Sequence, residues 1–488
     1  MMNLFLKKIL CICPLILLLC TSEAQNITGT WQGTLDVQGN QIPLVFHIKK
    51  DSTNKWIAAF DSPSQHAFNL PCSEVILKDD SIILMMAIIN GKYAGQLNKD
   101  KTQITGSWFQ GAGTLPLTVK KTSETATVKE QKRPQTPRPP FPYHSNDVVY
   151  TNADQSIQYG GTLTYPKTDS LKNSAKINSY PAVILITGSS QQDRDETLFD
   201  HKPFAVIADY LTRRGFVVLR VDDRGIGKTT GIFSEATTMD FAKDLEAGLD
   251  FLEKQPMVNK NKIGLIGHSE GGMIAPIVAD ERKEIKFIIL LAGPGIPIID
   301  LMQQQMEAVS ISNGASIVDA RANGQLMRIV WDEAAKNEDS ATTIRYIRIK
   351  IDSWSKTLDT AMLAKFKSQD TAAINNQITQ ALTALNSRWY RYFISFNPQP
   401  YLEKLDCKVL ALNGSKDVQV IAASNLKGIK QSLQKSKSPK YDVIEIPGLN
   451  HLFQSCIRCN PSEYNDLEES FSPVALEMMG NWLQKNAY

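Results

Sequence analysis

The segment Gly267-His268-Ser269-Glu270-Gly271-Gly272 sits between a strand-like run, Ile263 to Ile266, and an apolar helical stretch from about Gly271 to Asp280. Strand, tight turn and helix form the context in which G-x-S-x-G lifts a serine hydroxyl above a sheet edge. The glycines let the backbone turn without side-chain clashes, and the helix N-terminus points at the hydroxyl. Ser269 is the expected nucleophile; an idle serine at a Gly-rich helix start is the plainer alternative.

A serine needs a base to take its proton, and six histidines are available. His47 and His66 fall in an N-terminal strand-rich region, and His144 falls in a Pro-rich stretch. His201 precedes the nucleophile, and His268 adjoins it on a turn expected to point neighbouring side chains elsewhere. His451 remains, in Pro447-Gly448-Leu449-Asn450-His451, a loop directly after the strand that ends at Ile446. Its ring in turn requires a carboxylate to set its tautomer. Asp417 fits, in Asn413-Gly414-Ser415-Lys416-Asp417 after the strand Lys408 to Leu412, whereas Asp406 precedes that strand and Asp442 and Glu445 belong to the next one. Donors for a tetrahedral oxyanion are expected from the Glu270 N–H and from the loop Gly188 to Asp195, through Ser189 or Ser190, between which the sequence does not choose.

Positioning these loops takes a sheet. Apolar β-branched runs at 182–187, 216–221, 262–267, 287–291, 408–412 and 443–446 alternate with helical patterns, which predicts a mostly parallel sheet flanked by helices over residues 146–488. From about 297 to 400 strand patterning lapses into Ala-, Gln-, Leu- and Ile-rich helical text, an expected lid in which Trp354, Trp389, Tyr390, Tyr392 and Phe393 are candidates to line an apolar pocket. Residues 25–122 read as short alternating strands with G-x-W motifs at Gly29-Thr30-Trp31 and Gly106-Ser107-Trp108, a small all-β barrel or sandwich resembling lipocalin-like barrels, with a structural or docking role. Between them, 123–145 carries five prolines and reads as an extended connector.

Taken together, the segments GHSEGG, ITGSSQQDRDE from Ile186, HKPF from His201, VDDRGIGKTTG from Val221, LAGPG from Leu291, NGSKDVQV from Asn413 and PGLNHLFQ from Pro447 resemble the α/β-hydrolase superfamily, in the esterase and serine-aminopeptidase-like (S9/S33-like) branch of exported bacterial proteins. The resemblance runs from about Val148 to the C-terminus. The order nucleophile, acid, histidine agrees with it, and the family's triad pattern falls on Ser269, Asp417 and His451. It implies carboxylesterase activity on short acyl esters, a small-molecule ester as partner, and no cofactor or metal. Ser190 departs from the glycine often found in the oxyanion loop of such proteins.

At 488 residues the chain exceeds what one core supports, and 42% hydrophobic with 21% charged residues is a globular composition. A formal charge of +3 without a long basic run argues against a nucleic-acid partner. Gly227-Lys228-Thr229 imitates the end of a phosphate loop, but Asp222 stands where that loop needs glycine, and Asp222, Asp223 and Arg224 read instead as a hydrogen-bonded turn supporting the catalytic loops. Residues 1–24, with Lys7 and Lys8 before an apolar stretch to Cys20 and Ser22-Glu23-Ala24 after it, read as an export signal. The stretch is shorter than the ~20 residues a membrane-spanning helix needs, and the expected location is periplasmic or secreted, the alternative being a lipid anchor on Cys20. Beyond the signal remain Cys72, Cys407, Cys456 and Cys459, with Cys456-x-x-Cys459 expected as a local disulfide or free thiols rather than a metal site. Two other functions stay open: an exported aminopeptidase or dipeptidyl-type peptidase, in which Glu270 and Glu196 would hold a substrate ammonium group, and a non-catalytic glycan- or surface-binding protein.

Overall fold

The structure, a computed structural model, describes residues 27–37, 40–51, 53–62, 67–86, 91–110, 113–122, 133–167, 180–336, 340–360, 362–364, 379, 382–383 and 387–487. The expected export signal, Cys20 and His66 lie outside the described residues. The chain divides into two compact units, parted between Lys129 and Glu130.

In the first unit nine strands form one antiparallel sheet: β1 (Gly29–Val37), β2 (Asn40–Lys50), β3 (Trp56–Ser62), β4 (Ala67–Pro71), β5 (Glu74–Lys78), β6 (Ser81–Met86), β7 (Gly91–Leu97), β8 (Gln103–Gln110) and β9 (Gly113–Thr122), in the order 4-3-2-1-9-8-7-6-5. Alternate residues point inward, as the period of two requires. Trp31, Phe46, Phe60, Ile82, Tyr93 and Trp108, drawn from both halves of the sheet, meet in a single core, so the sheet curls upon itself. The buried polar tips are satisfied: Trp31 Nε1–H donates to the Ile27 carbonyl (2.9 Å) and the Tyr93 hydroxyl to that of Ile104 (3.1 Å). A filled interior of this kind is what the alternating text at 25–122 predicts.

The second unit is an eight-stranded sheet of β10 (Tyr143–Thr151), β11 (Gln158–Pro166), β12 (Tyr180–Ile186), β13 (Val217–Val221), β14 (Val258–His268), β15 (Ile285–Leu291), β16 (Lys408–Gly414) and β17 (Tyr441–Ile446), in the order 10-11-13-12-14-15-16-17. β10, β11 and β13 pair antiparallel, and β13-12-14-15-16-17 run parallel. The six parallel strands are the six apolar runs of the sequence. The antiparallel pair at the edge is additional to them.

Parallel strands buried on both faces need helices on both faces. One face packs Leu245, Leu249, Met273 and Ile277 from α2 (Thr238–Glu253) and α3 (Gly271–Glu281) against Ile184, Leu265 and Ile288. The other packs Phe204, Ile207 and Leu211 of α1 (Pro203–Thr212), with Met479 and Leu483 of the C-terminal helix Pro473–Asn486, against Val183, Val218 and Ile289. The chain moves from β12 outward to β13 and back to β14 on the other side, so strand order reverses at β12, and the C-terminal ends of β12 and β14 flank a switch-point crevice.

Between β15 and β16 the insertion is helical as expected: Ile298–Ser312, Ile317–Lys336, Ser340–Ser355 and Arg388–Ser395, with a small core of Met327, Val330, Trp331 and Ile394. The Pro-rich stretch behaves differently from a free connector. Arg133 is buried, its guanidinium donating to the carbonyls of Phe199 (2.8 Å), Leu467 (2.6 Å) and Asn465 (2.9 Å), and the Gln135 side chain bonds Ser470 and Phe471. From Arg133 onward this segment is fastened to the second unit. Backbone carbonyls far along the chain satisfy it, and no local pattern announces them. No helix among the described residues is long and apolar enough to cross a membrane.

Candidate active site

β14 ends at His268, and Ser269 follows with φ 53°, a left-handed conformation that costs a non-glycine residue free energy. Packing enforces it. The Ser269 N–H donates to the Leu291 carbonyl at the end of β15 (2.9 Å), and a Cβ on Gly271 would overlap the Ile186 carbonyl, so only glycine lets α3 begin this close to β12. Ser269 thus stands half-exposed on a sharp strand-to-helix turn.

His451 and Asp417 come together. His451 Nδ1 lies 2.8 Å from Asp417 Oδ2, both side chains buried, and Asp417 Oδ1 accepts the N–H groups of Gln419 (2.7 Å) and Val420 (2.8 Å). Their loops are tied: Lys416 N–H donates to the Leu449 carbonyl (3.0 Å) and Gly448 N–H to Ser415 Oγ (2.9 Å). A carboxylate at Nδ1 fixes the proton there, leaving Nε2 as an acceptor.

Ser269, His451, Glu270, Ser189 and Ser190 all line one cleft of about 1100 Å³, mouth included. Among the described residues no hydrogen bond joins Ser269 Oγ to His451 Nε2, and such bonds are often long before substrate binds. Neither the Glu270 nor the Ser189 N–H has a partner among the described residues. Gly188, before Ser189, is packed so close that a Cβ on it would sit 3.2 Å from Ser269 Cβ. Ser190 is exposed, at φ 76°. Of the aromatics in the helical insertion, Trp389, Tyr390 and Phe393 line the cleft. Trp354 instead donates to Gln325, and Tyr392 packs toward Phe396.

Sequence reasoning turned His268 the wrong way. Its ring is buried under the site, Nδ1 2.9 Å from Glu196 Oε1 and Nε2 3.0 Å from the His451 carbonyl. Glu196 is also buried and accepts the Gly188 N–H (2.7 Å), so it is not a free anion at the cleft mouth. The Glu270 carboxylate accepts Thr238 Oγ1–H (2.7 Å) and the Trp389 indole N–H (2.9 Å), and burial pushes its pKa up against those hydrogen bonds and one with Ser189. Asp223 is pushed up to about 7 by burial, with Glu196 and Glu270 nearby adding to the rise while hydrogen bonds from Gln192 and Thr187 oppose it.

The turn at Asp222 works as expected. Arg194 grips Asp222 through Nε (2.9 Å) and Nη2 (2.5 Å) and reaches Thr162 (2.8 Å), and Arg224 grips Asp244 at 2.6 and 2.8 Å. Cys456 and Cys459 are joined as a disulfide in the segment after His451.

Strand order, switch-point crevice and a serine on a strained strand-to-helix turn give the second unit the α/β-hydrolase fold. Residues 201–365 match a family described as serine aminopeptidase, S33. Esterase EstD of Thermotoga maritima is 28% identical over 163 residues, 33% of this chain and 37% of that protein, so the chain spans little more than a third of that relative's length. Among solved structures, α/β hydrolase GrgF from Penicillium sp. sh18 is 17% identical with a TM-score of 0.39, covering 70% of this chain and 99% of that one. Est1E from Butyrivibrio proteoclasticus, solved with ferulic acid, is 16% identical with a TM-score of 0.38 over 70% and 99%.

Proposed function

We propose that this protein is a serine hydrolase that cleaves carboxylic esters of short acyl groups. The observation that carries the reading is the buried Asp417–His451 pair opening onto the same cleft as Ser269, whose strained turn also presents the unpartnered Glu270 N–H.

Ser269 Oγ attacks the ester carbonyl while His451 Nε2 takes its proton. Asp417 holds the imidazole by Nδ1 and stabilises the imidazolium that forms. The carbonyl oxygen becomes an oxyanion held by the N–H groups of Glu270 and Ser189, dipoles fixed before the charge arrives. Collapse expels the alcohol, which leaves with the proton from His451, and an acyl-Ser269 ester remains. Water, deprotonated by His451, then attacks that ester and releases the acid. No step calls on a metal or cofactor. Leu301, Met302, Trp389 and Phe393 supply the apolar wall for the acyl group.

The test is hydrolysis of p-nitrophenyl acetate together with labelling by a fluorophosphonate. Labelling that persists in Ser269→Ala would remove the assignment.

A second reading, an aminopeptidase, has one observation in its favour: Glu270 lies in the cleft with only neutral donors around it, where a substrate ammonium group would find a counter-charge. Release of p-nitroaniline from aminoacyl anilides faster than p-nitrophenol from acetate would favour it. We further infer export, supported by the leader-like first 24 residues and by a disulfide of the kind oxidising compartments permit.

A further inference from the structure

His268 touches two acceptors. Its Nδ1 meets the Glu196 carboxylate at 2.9 Å and its Nε2 meets the His451 carbonyl at 3.0 Å. A carbonyl has no hydrogen to give, nor has an ionised carboxylate, and a neutral imidazole carries a single N–H. With Glu196 ionised, only the doubly protonated ring satisfies both contacts. The alternative, a proton on Glu196 Oε1, would weaken that oxygen as an acceptor, although it also receives the Gly188 N–H at 2.7 Å.

We propose that His268 is held as an imidazolium between Glu196 and the His451 carbonyl, and that this buried charge pair is the positioning element that sets the oxyanion loop and the base loop against Ser269. The proposal rests on the hydrolase reading for its catalytic consequence, while the protonation state stands independently. Three segments converge on one ring: Gly188 through Glu196, the nucleophile turn through His268 itself, and the His451 loop through its carbonyl. Glu196 keeps its position at φ 52°, a left-handed conformation that a glutamate adopts only when its surroundings over-determine it. At 8% and 7% side-chain exposure the two groups are shielded from water, where an unpaired charge would not be tolerated. Among the described residues, the charged groups that act most on the ring are Glu196 and, further off, Asp417. The titratable His451 ring lies 4.8 Å away between centroids, and Phe453 closes the apolar side. Burial works to lower the His268 pKa, but Glu196 and the hydrogen bonds at both nitrogens outweigh it and the net shift is upward.

Neutralising Glu196 removes the reason for the second ring proton. One of the two contacts is then lost and the loops drift. Displacements of this kind cost about 100-fold in kcat with little change in KM, because substrate contacts are untouched.

The experiment uses the full chain with ring-15N histidine, observed at pH 8 in the wild type, Glu196→Gln and Glu196→Asp. Fluorophosphonate titration counts the active sites, so that misfolded protein does not enter kcat. We expect one histidine doubly protonated in the wild type, its second proton lost in Glu196→Gln along with ~100-fold in kcat per labelled site. Glu196→Asp should keep both the proton and most of the activity. A wild type with no doubly protonated histidine at pH 8, or a doubly protonated signal that survives in Glu196→Gln, overturns the proposal, as does wild-type kcat per labelled site in that variant. If Glu196→Gln does not fold, the wild-type spectrum and Glu196→Asp decide. Failure of the wild type to label at all would sink the hydrolase reading and leave the protonation result standing.

Discussion

Trp389 donates its indole N–H to the Glu270 carboxylate at 2.9 Å, a bond that spans 119 residues and joins the helical insertion to the residue after Ser269. Trp389 also stacks on Phe393, ring centroids 5.0 Å apart, so one side chain both shapes the apolar wall and holds the group beside the proposed nucleophile. The helical insertion and the turn that carries the proposed nucleophile are therefore coupled through a named contact.

Removing that wall should change acyl preference. Trp389→Ala enlarges the cleft where the acyl chain is expected to lie, and the ratio of kcat/KM for octanoate over acetate p-nitrophenyl esters should rise about tenfold. Trp389→Phe keeps the stacking and deletes only the N–H, so it should leave the ratio near the wild-type value. An unchanged ratio in the alanine variant would place the acyl group elsewhere.

Ser269→Ala should lower kcat by ~10⁶-fold and abolish fluorophosphonate labelling, with circular dichroism unchanged because the side chain is small and half-exposed.

Asp417→Asn tests the tautomer. The Asn carbonyl can keep the N–H bonds of Gln419 and Val420, but its amide would face His451 Nδ1 as a donor and push the ring proton to Nε2. We expect kcat to fall by about 10⁴-fold while KM stays within a few-fold. A loss under tenfold would assign the orienting role to another carboxylate.

The Asp223 carboxyl is raised from 3.8 to about 7 by burial and neighbouring carboxylates. A raised folded value means its contribution to stability is fully present below about pH 4 and is lost as pH climbs through 7. Asp223→Asn avoids that loss. Its amide can still serve Thr187 Oγ1 while its oxygen accepts the Gln192 N–H. The variant should melt roughly 2–4 °C above the wild type at pH 8 and show no advantage at pH 4, by calorimetry at both. The reverse order would show that Asp223 is ionised at no cost.

Arg194→Ala strands the buried Asp222 carboxylate and should destabilise the second unit by about 3 kcal/mol in urea titration. Arg194→Lys should recover little, since one ammonium cannot replace the two-pronged guanidinium grip.

Much of this was legible in order. The six parallel strands were visible because strands buried on both faces read as unbroken apolar runs, and the elbow glycines marked the turn at Ser269. β10 and β11 escaped notice: β10 is largely exposed and lacks an apolar run, and β11 carries Gly160 and Gly161 in its centre. His268 was misplaced because spacing along a turn does not say which neighbour ends up beneath it. Glu196 stood in a run of polar residues whose burial no periodicity reveals.

By itself the sequence determined the two-part architecture and the helical insertion and put forward Ser269, His451 and Asp417 as candidates, since each follows from short-range rules: period, turn residues, and position after a strand. Only tertiary structure decided that His268 bridges Glu196 and His451, that Trp389 reaches Glu270, and that Arg133 docks on carbonyls over 300 positions away. Those contacts depend on which backbone groups the fold leaves unpaired and buried beside one another, and desolvation, which sets their energies, exists only once the chain has closed around them.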